Sequence, residues 1–278
     1  MPSPLSNPYD ILAFHAEAGV DIALEETPQN RFEEAAEPDR VVSDQVVPMT
    51  PAAAKAPPAF APRPQTFVPP TGAAAPAPPD EAALEAREMA SKAASLEELH
   101  EILKRFDGCA LKKTAKNLVF ADGTPGARVM FVGEAPGGDE DREGLPFVGR
   151  SGKLLDLMMN AIGLDRTSAY IANIVPWRPP GNRTPTPQET AICLPFIRRQ
   201  IELANPDFLI CLGKPSMQTL LGVNEGIKAG RGKWRDYDTG TRTIKAMATF
   251  HPAYLLRSPN EKKFAWRDML ALKKALAG

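Results

Sequence analysis

The sequence predicts an α/β fold, a three-layer α/β/α sandwich around a central four-stranded parallel sheet. Three observations carry this. Four short apolar runs, Val129–Val132, Tyr170–Val175, Phe208–Leu212 and Ile244–Phe250, have the length and composition of strands buried on both faces. Stretches with helical periodicity, 151–163, 187–204, 214–221 and 260–276, alternate with them. Turn-forming residues stand at the carboxyl ends of the runs, as βαβ units require.

Each segment can be justified in chain order. Residues 1–80 hold 16 of the 29 prolines and much alanine. The stretch from Thr50 to Asp80 reads as a polyproline-biased, disordered linker, because it cannot bury enough surface to offset its ordering entropy. Within this tail, residues 8–24 suit one short amphipathic helix, either a loosely ordered terminus or a docking peptide for a protein partner. His15 belongs to the tail. From residue 81 the pattern turns helical, and 81–106 form a lead-in to a domain spanning 81–278. Ser95 with Glu98 three residues on is a capping-box signature, and His100 reads as a solvated residue of that helix. Asp165 and Asn205-Pro206 punctuate the crossovers.

Composition excludes several classes. No run of about 20 apolar residues is present, so nothing is expected to span a membrane. No basic region followed by an apolar stretch opens the chain, so no secretory signal is read. Cys109, Cys193 and Cys211 are too few and too scattered for a disulfide framework. A cytoplasmic, monomeric protein is the expectation. The net charge of −1 hides an asymmetry: residues 1–80 carry −7 and residues 81–278 carry +6. A basic folded part suits a polyanionic partner, since binding releases condensed counterions. No Gly-x-Gly-x-x-Gly follows the first strand and no Walker loop occurs, so neither a dinucleotide nor a nucleoside triphosphate is indicated.

The motifs lie where an open α/β sheet binds ligands, at the carboxyl ends of strands. Gly133-Glu134-Ala135-Pro136-Gly137 follows the first strand and His251-Pro252-Ala253-Tyr254-Leu255-Leu256-Arg257 the last. Between them lie Gly144-Leu145-Pro146-Phe147-Val148-Gly149-Arg150-Ser151-Gly152 and the run Asn173 to Arg183 (NIVPWRPPGNR). In this order they closely resemble the family-4 uracil-DNA glycosylases, from about Leu103 to the C-terminus. The resemblance implies the uracil-DNA glycosylase-like sandwich, uracil-containing DNA as partner, and hydrolysis of the N-glycosidic bond after base flipping.

The residues can be weighed beside that resemblance. The sugar becomes oxocarbenium-like while uracil leaves as an anion, so a preorganised donor at the uracil oxygen is worth about 3 kcal/mol. His251 is the candidate donor; its bland alternative is a cap on the turn before Pro252. Glu134 is the candidate for orienting water and opposing the sugar's positive charge, with Asp139, Glu140 and Asp141 as understudies. In the best-known uracil family an aspartate stands one position after Glu134; here that position is Ala135, beside the base. Asn173 offers both a donor and an acceptor, which match uracil's N3–H and O4 and mismatch cytosine. Phe147 would stack on the base; otherwise it is a core residue. Gly149 and Ser151 at one helix start, and Ser216 at another, are candidate phosphate contacts. Leu255, Leu256 and Arg257 suit a wedge filling the gap left by the extruded base. Arg178 and Arg183 either touch phosphates or brace their loop.

The chain departs from the family at one place. Most family-4 members carry a four-cysteine iron–sulfur cluster. Cys109 and Cys193 match the second and fourth ligands, while Phe106 and Trp177 stand where the first and third belong. Neither aromatic side chain replaces a thiolate, so no cofactor and no metal are expected, with the two rings filling the vacated volume. Cys211 reads as a core residue. Two other readings stay open: a glycosylase for hypoxanthine or xanthine, and a DNA-binding adaptor without catalysis whose tail is the working part.

Overall fold

The computed structural model describes residues 79–278; the expected linker and the helix at 8–24 lie outside them. Helices α1 (Pro79–Ser91) and α2 (Leu96–Arg105) open the described chain. Strands and helices are then interspersed. They are β1 (Asp122–Gly123), β2 (Val129–Gly133), α3 (Gly138–Glu143), α4 (Arg150–Asn160), β3 (Ala169–Asn173), α5 (Pro187–Ala204), β4 (Phe208–Leu212) and α6 (Lys214–Leu221). Then come α7 (Ile227–Gly230), β5 (Arg235–Asp238), β6 (Thr243–Thr249), α8 (Pro252–Arg257) and α9 (Lys262–Ala277).

The sheet has the order β1-β3-β2-β4-β6-β5. The expected parallel core is its centre, β3-β2-β4-β6, and two short antiparallel strands flank it. Those edges escaped the sequence reading because β1 is two residues long and β5 alternates charged side chains with Tyr237, as protected edges do. Alternation along each central strand builds the layers. Met130 and Val132 face one core with Ala172, Leu209 and Ala248, covered by α1, α2 and α5. Val129 and Phe131 face the other with Ile171, Ile210 and Met247, covered by α4 and α9.

The lead-in helices are integral to the first layer. Ala82, Ala86, Ala90 and Ala93 are at most 2% exposed, a small-residue stripe that brings α1 close against α5. Ser95 caps α2 by accepting the Glu98 amide at 3.2 Å. His100 is not the solvated residue expected. Its ring lies 4.8 Å from that of Phe120, half-buried, and burial lowers its pKa. Near α2, Phe106 and Trp177 are 1% and 2% exposed, and Phe106 packs edge-on against Phe196 at 5.0 Å. Cys109 and Cys193, in the same core, are fully buried, with their sulfurs 4.0 Å apart. Cys211 is a core residue of β4, and burial pushes its thiol up to about 12.

Candidate active site

All four parallel strands end at one edge. Gly133 of β2 pairs in register with Asn173 of β3, and the amides of Ile174 and Val175 continue the ladder to the carbonyls of Gly133 and Glu134. On the other side Gly213, directly after β4, donates its amide to the carbonyl of Thr249 at the end of β6. The loops leaving these ends enclose a cavity of about 540 Å³. Glu134, Ala135, Phe147, Ser151, Asn173, His251 and Arg257 all line it. Residues from four separate segments of the sequence thus converge on one pocket.

Two residues lining that cavity each carry a buried oxygen without a hydrogen-bond partner. Asn173 is 4% exposed and its Oδ1 has no hydrogen-bond partner; Oε1 of Glu134 is likewise buried and unpaired. A buried polar atom left unpaired costs about 1–3 kcal/mol, so each of these oxygens calls for a partner from outside the chain, a water or a ligand. Burial also raises the Glu134 pKa above the ordinary carboxylate value. The neighbouring acids are otherwise engaged. Asp139 pairs with Arg142 at 2.7 Å. Asp141 accepts the amides of Lys116 and Asn117. Glu140 accepts those of Gly137 and Gly149, each at 3.0 Å.

His251 caps α8, its Nδ1 accepting the Ala253 amide at 3.1 Å. An accepting Nδ1 carries no proton, so the neutral ring holds its proton on Nε2. Burial, with the charge of Arg257 adding to it, lowers the imidazole pKa to about 4. The turn cap considered as the alternative for this residue is therefore formed. Gly213 permits the close wall in front of it: a Cβ there, at φ 90°, would come within 3.0 Å of the His251 Cβ.

Phe147 has φ 55°, a left-handed conformation uncommon for a bulky residue, and is 4% exposed with its ring 5.5 Å from the imidazole. Its loop is held from outside the cavity. Arg166, paired with Asp122 and Asp156, donates to the carbonyls of Pro146 and Phe147. Gly152 leaves room for the Phe147 backbone, which any Cβ would strike. Arg166 was missed by sequence reading, since it sits just past the third-layer helix with no motif around it.

Three sequence expectations are corrected. Ser216 is fully buried and donates its hydroxyl to the Val132 carbonyl at 2.7 Å, so it is spent between α6 and the sheet and faces no phosphate. The Gly149 amide is already bonded to Glu140, so a protein carboxylate occupies the place expected for an anion. Leu255 is 1% exposed and packs with Phe250 and Ala265; within the wedge only Leu256, 37% exposed, and Arg257 reach the surface. Arg178 and Arg183 each make bonds that brace their loop. Arg178 donates to Asn182 at 2.8 Å, and Arg183 grips both oxygens of Glu189. Lys214, which the sequence reading passed over, lines the cavity beside the Gly213 turn and is exposed.

The donor set beside α2 does not fit the family's cluster. Two thiols face each other where four are needed, and the aromatic rings of Phe106 and Trp177 are packed into the same core. Among the described residues no group of three or more His, Cys, Asp or Glu side chains could hold a metal ion. None of their helices is long and apolar enough to cross a membrane.

Comparison with known proteins bears on the same segment. The family model described as the uracil DNA glycosylase superfamily matches residues 120–270. The chain is 42% identical over 167 residues to a type-4 uracil-DNA glycosylase of Thermotoga maritima, covering 58% of this chain and 85% of that protein. It is 39% identical over 171 residues to the enzyme so named in Archaeoglobus fulgidus, covering 59% and 86%. With that of Saccharolobus solfataricus the identity is 39% over 188 residues, covering 66% and 87%.

Proposed function

The chain belongs to the type-4 uracil-DNA glycosylases, and from that premise we propose how its residues divide the work of removing uracil from DNA. The enzyme is a hydrolase of DNA repair that breaks the bond between uracil N1 and the deoxyribose C1′ and leaves an abasic site. Water supplies the new C1′–O bond, and the electron pair of the broken bond leaves with the base.

In this reading the flipped uracil enters the cavity between Phe147 and the His251 turn, with its edge on Asn173. The unpaired Oδ1 of Asn173 accepts uracil N3–H and the amide donates to O4. Cytosine presents an acceptor where N3–H would be, so it leaves Oδ1 unpaired and adds a clash of like groups. As the glycosidic bond lengthens, negative charge grows on the base, and the Nε2–H of a neutral His251 meets it. A neutral donor suffices because the charge it stabilises appears only in the transition state. The Glu134 carboxylate orients the water, opposes the positive charge on the sugar, and takes up the water proton. Leu256 and Arg257, both exposed after the His251 turn, fill the stack and meet the backbone. Ala135 and Ser151 complete the walls.

No step uses a metal or cluster. We propose that this chain holds no iron–sulfur cluster, its place being taken by Phe106 and Trp177. We also propose that residues 81–278 act as the catalytic unit, monomeric and cytoplasmic, with the tail available to a protein partner.

The observation that carries the reading is the pair of orphaned buried oxygens on Asn173 and Glu134, two residues that line the same cavity as His251. The test is alkali-revealed cleavage of a single-uracil oligonucleotide. The wild type should cut it, and His251→Ala should lose about 10²–10³ in kcat, the usual effect of removing such a donor. Asn173→Asp should change the preference between uracil and cytosine. Equal rates for wild type and His251→Ala would discard the donor role.

A further inference from the structure

Behind the His251 turn lies a buried polar cluster that lines no part of the cavity. Asp268, on α9, is 2% exposed. Its carboxylate accepts Arg231 Nε at 2.8 Å, a second guanidinium nitrogen, and the hydroxyl of Thr249 at 2.7 Å. The Arg231 guanidinium lies over two rings, 5.6 Å from that of Phe250 and 5.5 Å from that of Phe264, and donates to the Phe264 carbonyl at 2.6 Å. The next residue, Gly232, donates its amide to Ala248 at 2.9 Å.

Thr249 is the hub. It is fully buried at the end of β6, two residues before His251. Its hydroxyl is tied to Asp268, while its carbonyl holds the Gly213 turn that walls the imidazole. Phe250, pressed by the guanidinium, stacks at 5.1 Å on Tyr254 of the helix that His251 caps. Contacts traceable to one ion pair thus reach the two residues before His251, the Gly213 turn beside it and the helix it caps.

Holding α9 to the sheet does not by itself explain such a cluster. Desolvating two charges offsets most of their attraction, and apolar side chains of equal volume would join the layers as well. What an ion pair with fixed hydrogen bonds adds is direction. A donor that stabilises developing charge must sit within a fraction of an ångström of its place, and misplacing a group by 1 Å costs about a hundredfold in rate.

We propose that Arg231, Asp268 and Thr249 are positioning residues that fix the His251 imidazole for base release. The proposal rests on the reading of His251 as the donor. Loosening the brace lowers kcat and leaves KM, set by contacts elsewhere in the cavity, unchanged.

The experiment uses the full chain with Thr249→Val, which keeps the branched shape and removes the hydroxyl, and with Arg231→Met and Arg231→Lys. Two readouts are taken below the melting temperature of each variant. One is single-turnover and steady-state uracil release; the other is the ¹⁵N spectrum of the His251 ring, one of three histidines. Thr249→Val and Arg231→Met should slow release about tenfold to a hundredfold at unchanged KM, and the Nε2-protonated signal of His251 should broaden or shift. Arg231→Lys should recover part of both. Variants that melt lower yet keep the wild-type kcat and an unchanged His251 spectrum would overturn the proposal and leave the cluster a purely structural one. If His251→Ala proves as fast as the wild type, the donor reading fails instead. The spectrum then decides the brace alone, an unchanged signal overturning it.

Discussion

Glu134 and His251 face the same cavity with opposite electrostatic consequences of burial. The carboxylate is pushed up and the imidazole down to about 4, because the low-dielectric site penalises whichever form is charged. Water activation needs the carboxylate ionised, whereas the donor needs only a neutral ring. The rate should therefore rise with pH through the elevated Glu134 pKa, while His251 stays neutral down to about pH 4. Glu134→Gln should abolish that rise and leave a low, pH-flat rate, measured as kcat by single-turnover release. A wild-type acid limb that persists unchanged in Glu134→Gln would assign it to another group. His251 also acts on stability. Its folded pKa lies below its ordinary 6.5, so the unfolded chain binds the extra proton between about pH 4 and 6.5. Stability contributed by the neutral ring is present above that window and is lost as pH falls through it.

At the scale of elements, the site depends on how strands end and how helices begin. Ser216 illustrates it: the hydroxyl near the start of α6 is turned inward onto the Val132 carbonyl, pinning α6 across the ends of β2 and β4. Ser216→Ala should lower stability by about 1 kcal/mol, read by denaturant melting, and leave DNA affinity at fixed salt unchanged. A clear loss of affinity in the folded variant would restore it as a phosphate contact. Phe106, 1% exposed against Phe196 and near the Cys109–Cys193 pair, makes a second element-level case. Phe106→Ala should cost about 3–5 kcal/mol by opening a cavity, without altering kcat at temperatures where the variant is folded. A large loss of kcat in a folded variant would show that this corner communicates with the base pocket.

The whole molecule divides its charge, −7 on residues 1–80 and +6 on residues 81–278. If the second part is the catalytic unit, removing residues 1–80 should preserve uracil release from oligonucleotides. The truncated chain should also bind DNA at least as tightly, since an acidic segment is gone while the basic surface that releases counterions remains. Loss of release in the folded, truncated chain would make the tail part of the enzyme. The four-stranded parallel core and its flanking layers were legible in the sequence. Runs such as Val129–Val132 are apolar at every position and short, as in a strand buried on both faces. The edges β1 and β5 were not, because short, charged strands carry no comparable pattern.

The sequence by itself determined the alternation of elements, the family, and the identity of the residues now found around the cavity: Glu134, Phe147, Asn173 and His251 could all be named from their motifs. Local rules reach that far because strand-end turns and helix caps are written in a few adjacent residues. Only the tertiary structure decided which candidates face the cavity. Ser216 and Leu255 turn into the core, and the Gly149 amide is claimed by Glu140, while Arg166 reaches in to hold Phe147. These outcomes rest on contacts between segments far apart in the chain, such as Arg231 with Asp268 and Thr249 with Gly213. Which way a side chain turns at such a meeting is set by the partner's position in space, and no stretch of neighbouring residues encodes it.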